Sequence, residues 1–251
     1  AYSCAFNFLV PMAVGAHVYL LGKVPSPKIL LKAFEEVKPN LILTVPLILE
    51  KIYKKMILPQ LSKTTMKVAL NIPLLDSRIY AQIRKKLVDA FGGRFREVIV
   101  GGAAMNEEVT NFLYKIKFPF TIGYGMTECG PLISYDHNDE YVPGSCGQIL
   151  KGIMKVRIDS EDPYNKVGEI QVSGENVMKG YYKNEEATSK VFTEDGWLRT
   201  GDLGTIDADN RIYIRGRSKT MILGASGQNI YPEEIESKLN NLPFVMESII
   251  I

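Results

Sequence analysis

The sequence predicts an α/β protein: a mostly parallel, doubly wound sheet, then a small antiparallel, β-barrel-like region, then the start of a small α+β C-terminal domain. Two observations predict the first part. Up to about residue 135, short apolar strands alternate with helices that carry start and stop signals, and the strands run into glycines. A third predicts the rest. After residue 135, short strands follow one another directly, separated by Gly, Asp and Asn turns, until a helical pattern returns near the end. The predicted boundaries are 1–135, 136–217 and 218–251.

Taken in order, the first feature is the apolar run FNFLVPMAVGAHVYLL, residues 6–21. It is shorter than the roughly 20 apolar residues of a membrane-spanning helix, and Pro11, Gly15 and His17 interrupt it. It is predicted to be buried core, with His17 structural. Ser26-Pro27 starts a helix with a capping hydroxyl and a proline in the first turn. Ile29, Leu30, Ala33, Phe34 and Val37 follow at helical spacing, and Pro39 stops it. LILTV (41–45) reads as a buried strand, and Pro46 opens a helix through LILEKIYKKM. A third helix spans about 77–91 and ends at Gly92-Gly93. REVIVGG (96–102) is a strand ending in glycines. Asn106 caps a helix whose first turn carries Glu107 and Glu108, the sign the helix dipole favours. PFTIGYG (119–125) is a further strand-to-loop passage. Ligands of doubly wound sheets bind at the carboxyl ends of strands, where GGAA (101–104) and GYGMTE (123–128) both fall.

In the second part IMKVRID, VGEIQV, GTIDA and RIYIRG are short strands, and YNKVGE and DADNR are hairpin turns. PEEIESKL is a helix with Pro232 in its first turn, followed by the apolar string VMESIII. A lone terminal helix and strand cannot bury their own faces, and the chain opens on Ala1 rather than Met. The sequence is therefore expected to be a piece of a longer protein.

Composition excludes several classes. The 251 residues, 46% hydrophobic, can build a sizeable core in one large or two smaller domains. Thirty Lys+Arg against 28 Asp+Glu leave a net charge of +2, no excess to select nucleic acid or a membrane surface. Cys4, Cys129 and Cys146, without a C-x-x-C, argue against a disulfide framework and a structural zinc site, and for a reducing, cytoplasmic setting. Two histidines, His17 and His137, leave little for a metal cluster or a Ser-His-Asp triad.

Four stretches carry candidate chemistry. In GGAA, two glycines at a strand end admit a flat ligand to the backbone, though a tight turn explains them too. In GYGMTE, Tyr124 offers a face to a base, Thr127 a hydroxyl to phosphate, and Glu128 a carboxylate to hydrated Mg²⁺. That ion binds through one or two carboxylates plus substrate phosphates. A strand cap before a helix start would use the same letters. In WLRTGDLG (197–204), Asp202 follows a tight Thr-Gly turn, and its two acceptor oxygens suit a pair of ribose hydroxyls. An ordinary Asx turn is the alternative. In IRGRSKTMILGASGQNIYPEEIE (214–236), Arg217 is a fixed-charge fork for ribose or phosphate, and the glycines suggest a mobile connection.

Together and in this order, GGAA, GYGMTE, TGD and GRSK followed by PEEIE resemble the adenylate-forming (AMP-binding) superfamily: acyl-CoA synthetases, luciferases and peptide-synthetase adenylation domains. The resemblance covers almost the whole chain. Within the superfamily the chain looks most like long-chain fatty-acid–CoA ligases, through HVYLLGK, KPNLILTVPLILEKIYKKM and REVIVGGAAM. The resemblance implies that 1–135 and 136–217 are the α/β and β-barrel-like parts of a large adenylation domain, and that 218–251 begin the small domain. It implies that Tyr124 stacks on adenine, with Gly125 and Met126 in the same nucleotide-binding turn. Thr127 then contacts phosphate and Glu128 holds Mg²⁺, both serving catalysis. Gly102, Ala103 and Ala104 line the adenine site, with Gly101 and Gly102 near the acyl channel. Asp202 binds the ribose and Arg217 assists. Lys219 is the hinge at which the small domain swings between two half-reactions.

The resemblance further implies a fatty acid, ATP, Mg²⁺ and coenzyme A as substrates and cofactors. The acid's carboxylate attacks the α-phosphorus of ATP to give acyl-adenylate and pyrophosphate, and the thiol of coenzyme A then displaces AMP. Peripheral membrane contact and homodimerisation of the full-length protein stay open. An acyl-acyl-carrier-protein synthetase, a ligase of another carboxylic acid, and a nucleotide-binding module without turnover are the alternatives. The phosphate-loop lysine of relatives lies upstream of this chain and their C-terminal catalytic lysine beyond residue 251, so the chain alone is expected not to turn over. Leu223 stands where many relatives carry lysine, and GASGQN is one residue longer than the commonest form.

Overall fold

The computed structural model describes residues 2–22, 24–73, 75–224, 228–242, 245 and 248–250. They form two compact units. One holds Tyr2–Thr121 with His137–Pro143; the other holds Ile122–Asp136 with residues 144 onward.

In the first unit the helix signals act as the sequence predicts. Ile29 N–H donates to Ser26 Oγ at 3.4 Å, helix Pro27–Val37 follows, and Lys38 at φ 51° ends it before Pro39. Strand β1 (Leu41–Thr44) pairs in parallel with β2 (Glu97–Val100), Leu41 opposite Glu97, and β3 (Phe120–Ile122) lies on the other side of β2. Pro46 opens helix Pro46–Ile52, which continues through a π-helical stretch, Tyr53–Ile57, to Leu61. The third helix is Leu75–Ala90. Its end packs an aromatic cluster: Phe91 stacks on Phe34 at 5.3 Å and meets Phe118 edge-on at 5.5 Å, with Phe95 beside both. Asn106 Oδ1 accepts from the backbone N–H groups of Glu108 and Val109 and caps helix Glu107–Lys115.

The apolar run at 6–21 is not core. Its first half is helical, in the π-helical Ala5–Leu9 and in Val10–Ala13, and its surface is open. Leu9 is 56% exposed, Val14 74% and Leu20 81%. His17 is exposed as well and stacks on Tyr19 at 4.3 Å. Hydrophobic composition expresses a preference for burial, but burial also needs an opposing surface, and no described residue supplies one here. No described helix is long and apolar enough to cross a membrane.

In the second unit β4 (Tyr124–Gly125) and β5 (Leu132–Ser134) form an antiparallel ladder. A four-stranded antiparallel sheet follows in sequence order: β6 (Met154–Asp159), β7 (Gly168–Gly174), β8 (Leu198–Ile206) and β9 (Ile212–Arg217). The predicted turns YNKVGE and DADNR join β6 to β7 and β8 to β9. The outer strands β6 and β9 do not pair, so the sheet is open and not a closed barrel. Ile170, Val172, Leu198, Ile212 and Ile133 are fully buried and carry the core of this unit.

Beyond the sheet, β10 (Ile222–Leu223) and β11 (Asn229–Ile230) form a short ladder before helix Pro232–Leu239. The centre of the GASGQN loop, residues 225–227, lies outside the described residues, as do 246, 247 and 251 of the terminal strand expected in VMESIII. The described residues there, 245 and 248–250, are not in a strand.

Candidate active site

Asp202 is not in a turn. WLRTGDLG belongs to β8, and Asp202 sits opposite Arg217 of β9. A glycine beside an aspartate reads as a turn from sequence; here Gly201, at φ 74°, makes a bulge inside the strand. Arg199 faces Gln171 and Leu203 faces Glu169, so β8 spends two more residues than β7 between these pairs. Thr200 steadies the bulge: its hydroxyl donates to Ile170 C=O at 2.8 Å and accepts from Asp202 N–H at 3.1 Å.

The bulge presents the Asp202 carboxylate to two donors. The Tyr124 hydroxyl donates to Oδ2 at 2.7 Å, and Arg217 Nε lies 3.2 Å from Oδ1. Asp202 is buried, whereas the Arg217 side chain is 71% exposed. Burial holds the Asp202 carboxyl above its ordinary range, and the Tyr124 hydrogen bond and the Arg217 charge partly offset this. Burial also raises the Tyr124 phenol, and the Asp202 charge adds to it. A carboxylate has about four lone-pair sites, so with one partner on each oxygen it can still accept from a diol. Tyr124 is itself in the core of the unit, 7% exposed.

Tyr124 also starts the GYGMTE turn. Gly125 is required by the fold itself: a side chain there would begin 1.9 Å from the Pro131 carbonyl oxygen across the β4–β5 ladder. Met126 is extended, Thr127–Cys129 form one 3₁₀ turn, and Gly130 at φ 62° closes it. Thr127 is exposed and Glu128 half-buried. Glu128 Oε1 accepts the Tyr181 hydroxyl at 2.9 Å. The segment before Tyr181 grips the same turn. Met178 N–H donates to Glu128 C=O at 2.7 Å, and Asn176 Nδ2 donates to Cys129 C=O at 2.6 Å and Leu132 C=O at 2.8 Å. Sequence reasoning missed Asn176 and Tyr181, because an asparagine and a tyrosine in a polar loop carry no periodic or motif signal. Lys219 is exposed in the turn after β9, next to Thr220, whose hydroxyl donates to Glu233 Oε1 at 2.7 Å.

GGAA lies in the first unit, in the loop after β2. Gly101 is buried under the Tyr2 ring, which a side chain at 101 would meet at 3.2 Å. A side chain at Gly102, which has φ 90°, would meet nothing closer than Val45 Cγ1 at 4.0 Å, and Gly102, Ala103 and Ala104 are exposed. The loop is fixed from below: Asn106 N–H donates to Glu50 Oε1 and the Tyr53 hydroxyl to Glu108 Oε1, both at 2.9 Å. The structure thus joins Tyr124, Asp202 and Arg217 directly and sets Glu128 four residues along the same turn from Tyr124. Among the described residues, no three His, Cys, Asp or Glu side chains converge on a metal position. A single carboxylate such as Glu128 suits a cation that takes most of its ligands from phosphate and water.

An α/β unit with a parallel sheet, and a unit of antiparallel sheets with Asp202 on the four-stranded sheet and Glu128 in the turn between β4 and β5, have the fold of the large domain of adenylate-forming enzymes. The solved structure of O-succinylbenzoate coenzyme A synthetase (MenE) from Bacillus subtilis, in complex with ATP and magnesium ion, matches with a TM-score of 0.70 at 25% identity. The match covers 95% of this chain and 44% of that one. The chain belongs to the AMP-binding enzyme family, whose profile matches residues 1–182. It is 29% identical to long-chain-fatty-acid–CoA ligase 1 of Saccharomyces cerevisiae, over 84% of this chain and 33% of that protein. It is 33% identical to 4-coumarate-CoA ligase 1 of Narcissus pseudonarcissus, over 71% of this chain and 35% of that protein. The chain thus spans about a third of the length of these curated relatives.

Proposed function

We propose that the protein to which this chain belongs is an AMP-forming acid–thiol ligase that activates a long-chain fatty acid as its adenylate and passes it to coenzyme A. The observation that carries the reading is the Asp202 carboxylate, buried yet aligned by Tyr124 and Arg217, with acceptor capacity left for a ribose diol. Asp202 would bind the ribose hydroxyls, Arg217 would add charge beside them, and Tyr124 would meet the base. The exposed Thr127 hydroxyl would donate to phosphate, and Glu128 would hold Mg²⁺. Mg²⁺ supplies charge neutralisation on the phosphates where negative charge concentrates. Lys219 serves as the hinge residue. The preference for long acyl chains is supported by the yeast relative, while the coumarate and succinylbenzoate relatives mark the competing acids.

The test is acid-dependent pyrophosphate exchange and thioester formation by the full-length protein, across acids from C2 to C18 together with 4-coumarate and O-succinylbenzoate. Long-chain acids are expected to give the highest kcat/KM. A preference for an aromatic acid would overturn the substrate assignment. Absence of exchange with every acid would favour a nucleotide-binding module without turnover.

A further inference from the structure

Tyr181 carries a hydroxyl in a place where packing does not ask for one. Its side chain stands at the surface, 37% exposed, and its neighbour Tyr182 is 88% exposed. Yet Tyr181 is held on both sides. Its backbone N–H donates to Thr188 Oγ1 at 2.9 Å, and Thr188 in turn donates to Asn184 C=O at 2.8 Å. Asn184 caps helix Glu185–Val191 through Ala187 N–H at 3.0 Å. Upstream, Met178 and Asn176 bind the backbone of the GYGMTE turn at Glu128, Cys129 and Leu132. The tyrosine is therefore fixed relative to both the helix and the turn before its hydroxyl reaches Glu128 Oε1 at 2.9 Å. A hydrogen bond to a carboxylate is charge-assisted and directional. It occupies one lone pair of Oε1 and leaves Oε2 to a further partner.

We propose that Tyr181 is a positioning residue for Glu128: its hydroxyl sets the orientation in which the carboxylate takes a divalent cation bound to the nucleotide phosphates. The inference rests on Glu128 being the cation-binding carboxylate. Outer partners of metal ligands act in this way, by removing rotamer freedom from the ligand before the ion arrives.

The experiment uses the full-length protein with Mn²⁺ as the probe, its binding in the presence of ATP followed by electron paramagnetic resonance. Tyr181→Phe, Glu128→Gln and the double variant are compared with wild type. Tyr181→Phe is expected to raise the Mn²⁺ concentration for half-saturation about ten- to a hundredfold, the range that loss of an outer partner of a metal ligand supports. The melting temperature and metal-free ATP binding should stay at wild-type values. Glu128→Gln should weaken Mn²⁺ binding at least as much, and the double variant should be no weaker than Glu128→Gln alone, because both changes act through one carboxylate. If Glu128→Gln weakens Mn²⁺ binding while Tyr181→Phe does not, or if the two effects add, the role of Tyr181 is overturned and that of Glu128 stands. Unchanged Mn²⁺ binding in Glu128→Gln overturns both.

Discussion

Asp202 keeps a charge where its surroundings disfavour one. Burial raises its folded-state pKa above the ordinary aspartate value. Between the ordinary value and the raised one, the folded chain therefore binds more protons than the unfolded chain, and stability falls as pH rises through that window. At pH 7 the carboxylate is retained at a cost. Asp202→Asn in the full-length protein imitates the protonated form, so its melting temperature at pH 7 should match or exceed wild type. That advantage should shrink as pH is lowered toward 4. ATP affinity should meanwhile fall about tenfold, through loss of charge-assisted bonds. A variant less stable than wild type at pH 7, with ATP binding unchanged in calorimetry, would argue that Asp202 is purely structural. Thiols give a second forecast at this scale. Burial pushes Cys129 and Cys146 up to about 12, with charges of Glu128 and Asp202 adding respectively, while Cys4 is exposed. A disulfide reagent at pH 8 should label Cys4 and leave the buried Cys129 unmodified until the chain is unfolded, and mass mapping of the labelled peptides checks this.

Elements with explicit end signals were legible. Ser26 and Asn106 cap the helices they were expected to cap, because a side-chain oxygen meeting a free helix N–H is local chemistry that sequence spells out. The turns at YNKVGE and DADNR were legible for the same reason. The location of Asp202 was not: a glycine at positive φ serves a turn or a bulge alike, and only pairing with β7 and β9 distinguishes them. GYGMTE was legible as a motif, but the need for Gly125 comes from the ladder to β5. Gly125→Ala should therefore destabilise the protein by at least about 1–3 kcal/mol, the usual overpacking cost, since the obstacle is backbone and cannot rotate away. Urea denaturation of the full-length protein would show it. A change below about 0.5 kcal/mol would mean that the hairpin opens more readily than its geometry indicates.

Over the whole chain, the informative ties are those far apart in sequence. Arg211 lies in the β8–β9 turn, yet its Nε donates at 3.0 Å to Asp136 Oδ2, whose other oxygen accepts Gln148 N–H at 3.1 Å. Both side chains are mostly buried, at 14% and 3% exposure. Breaking a buried ion pair from one side costs about 3–5 kcal/mol, so Arg211→Met should lose that much stability in denaturation, and Arg211→Lys should recover part of it. DADNR could be read as a turn, but nothing local announced a partner 75 residues upstream. The apolar run at 6–21 failed for the converse reason: its composition was visible, and the missing surface opposite it was not.

The bulge in β8 also limits how this chain can be recombined with its relatives. Strand side chains alternate between faces, so gaining or losing one residue reverses every side chain beyond it. Asp202 reaches Tyr124 and Arg217 only because β8 carries its extra length between Arg199 and Leu203. A chimera joined within 198–206, between parents whose spacing there differs by one residue, would turn the carboxylate away and put a neighbour in its place, even with every motif letter kept. Junctions outside 168–217 would carry β7, β8 and β9 over as one block, with the register that positions Asp202 intact.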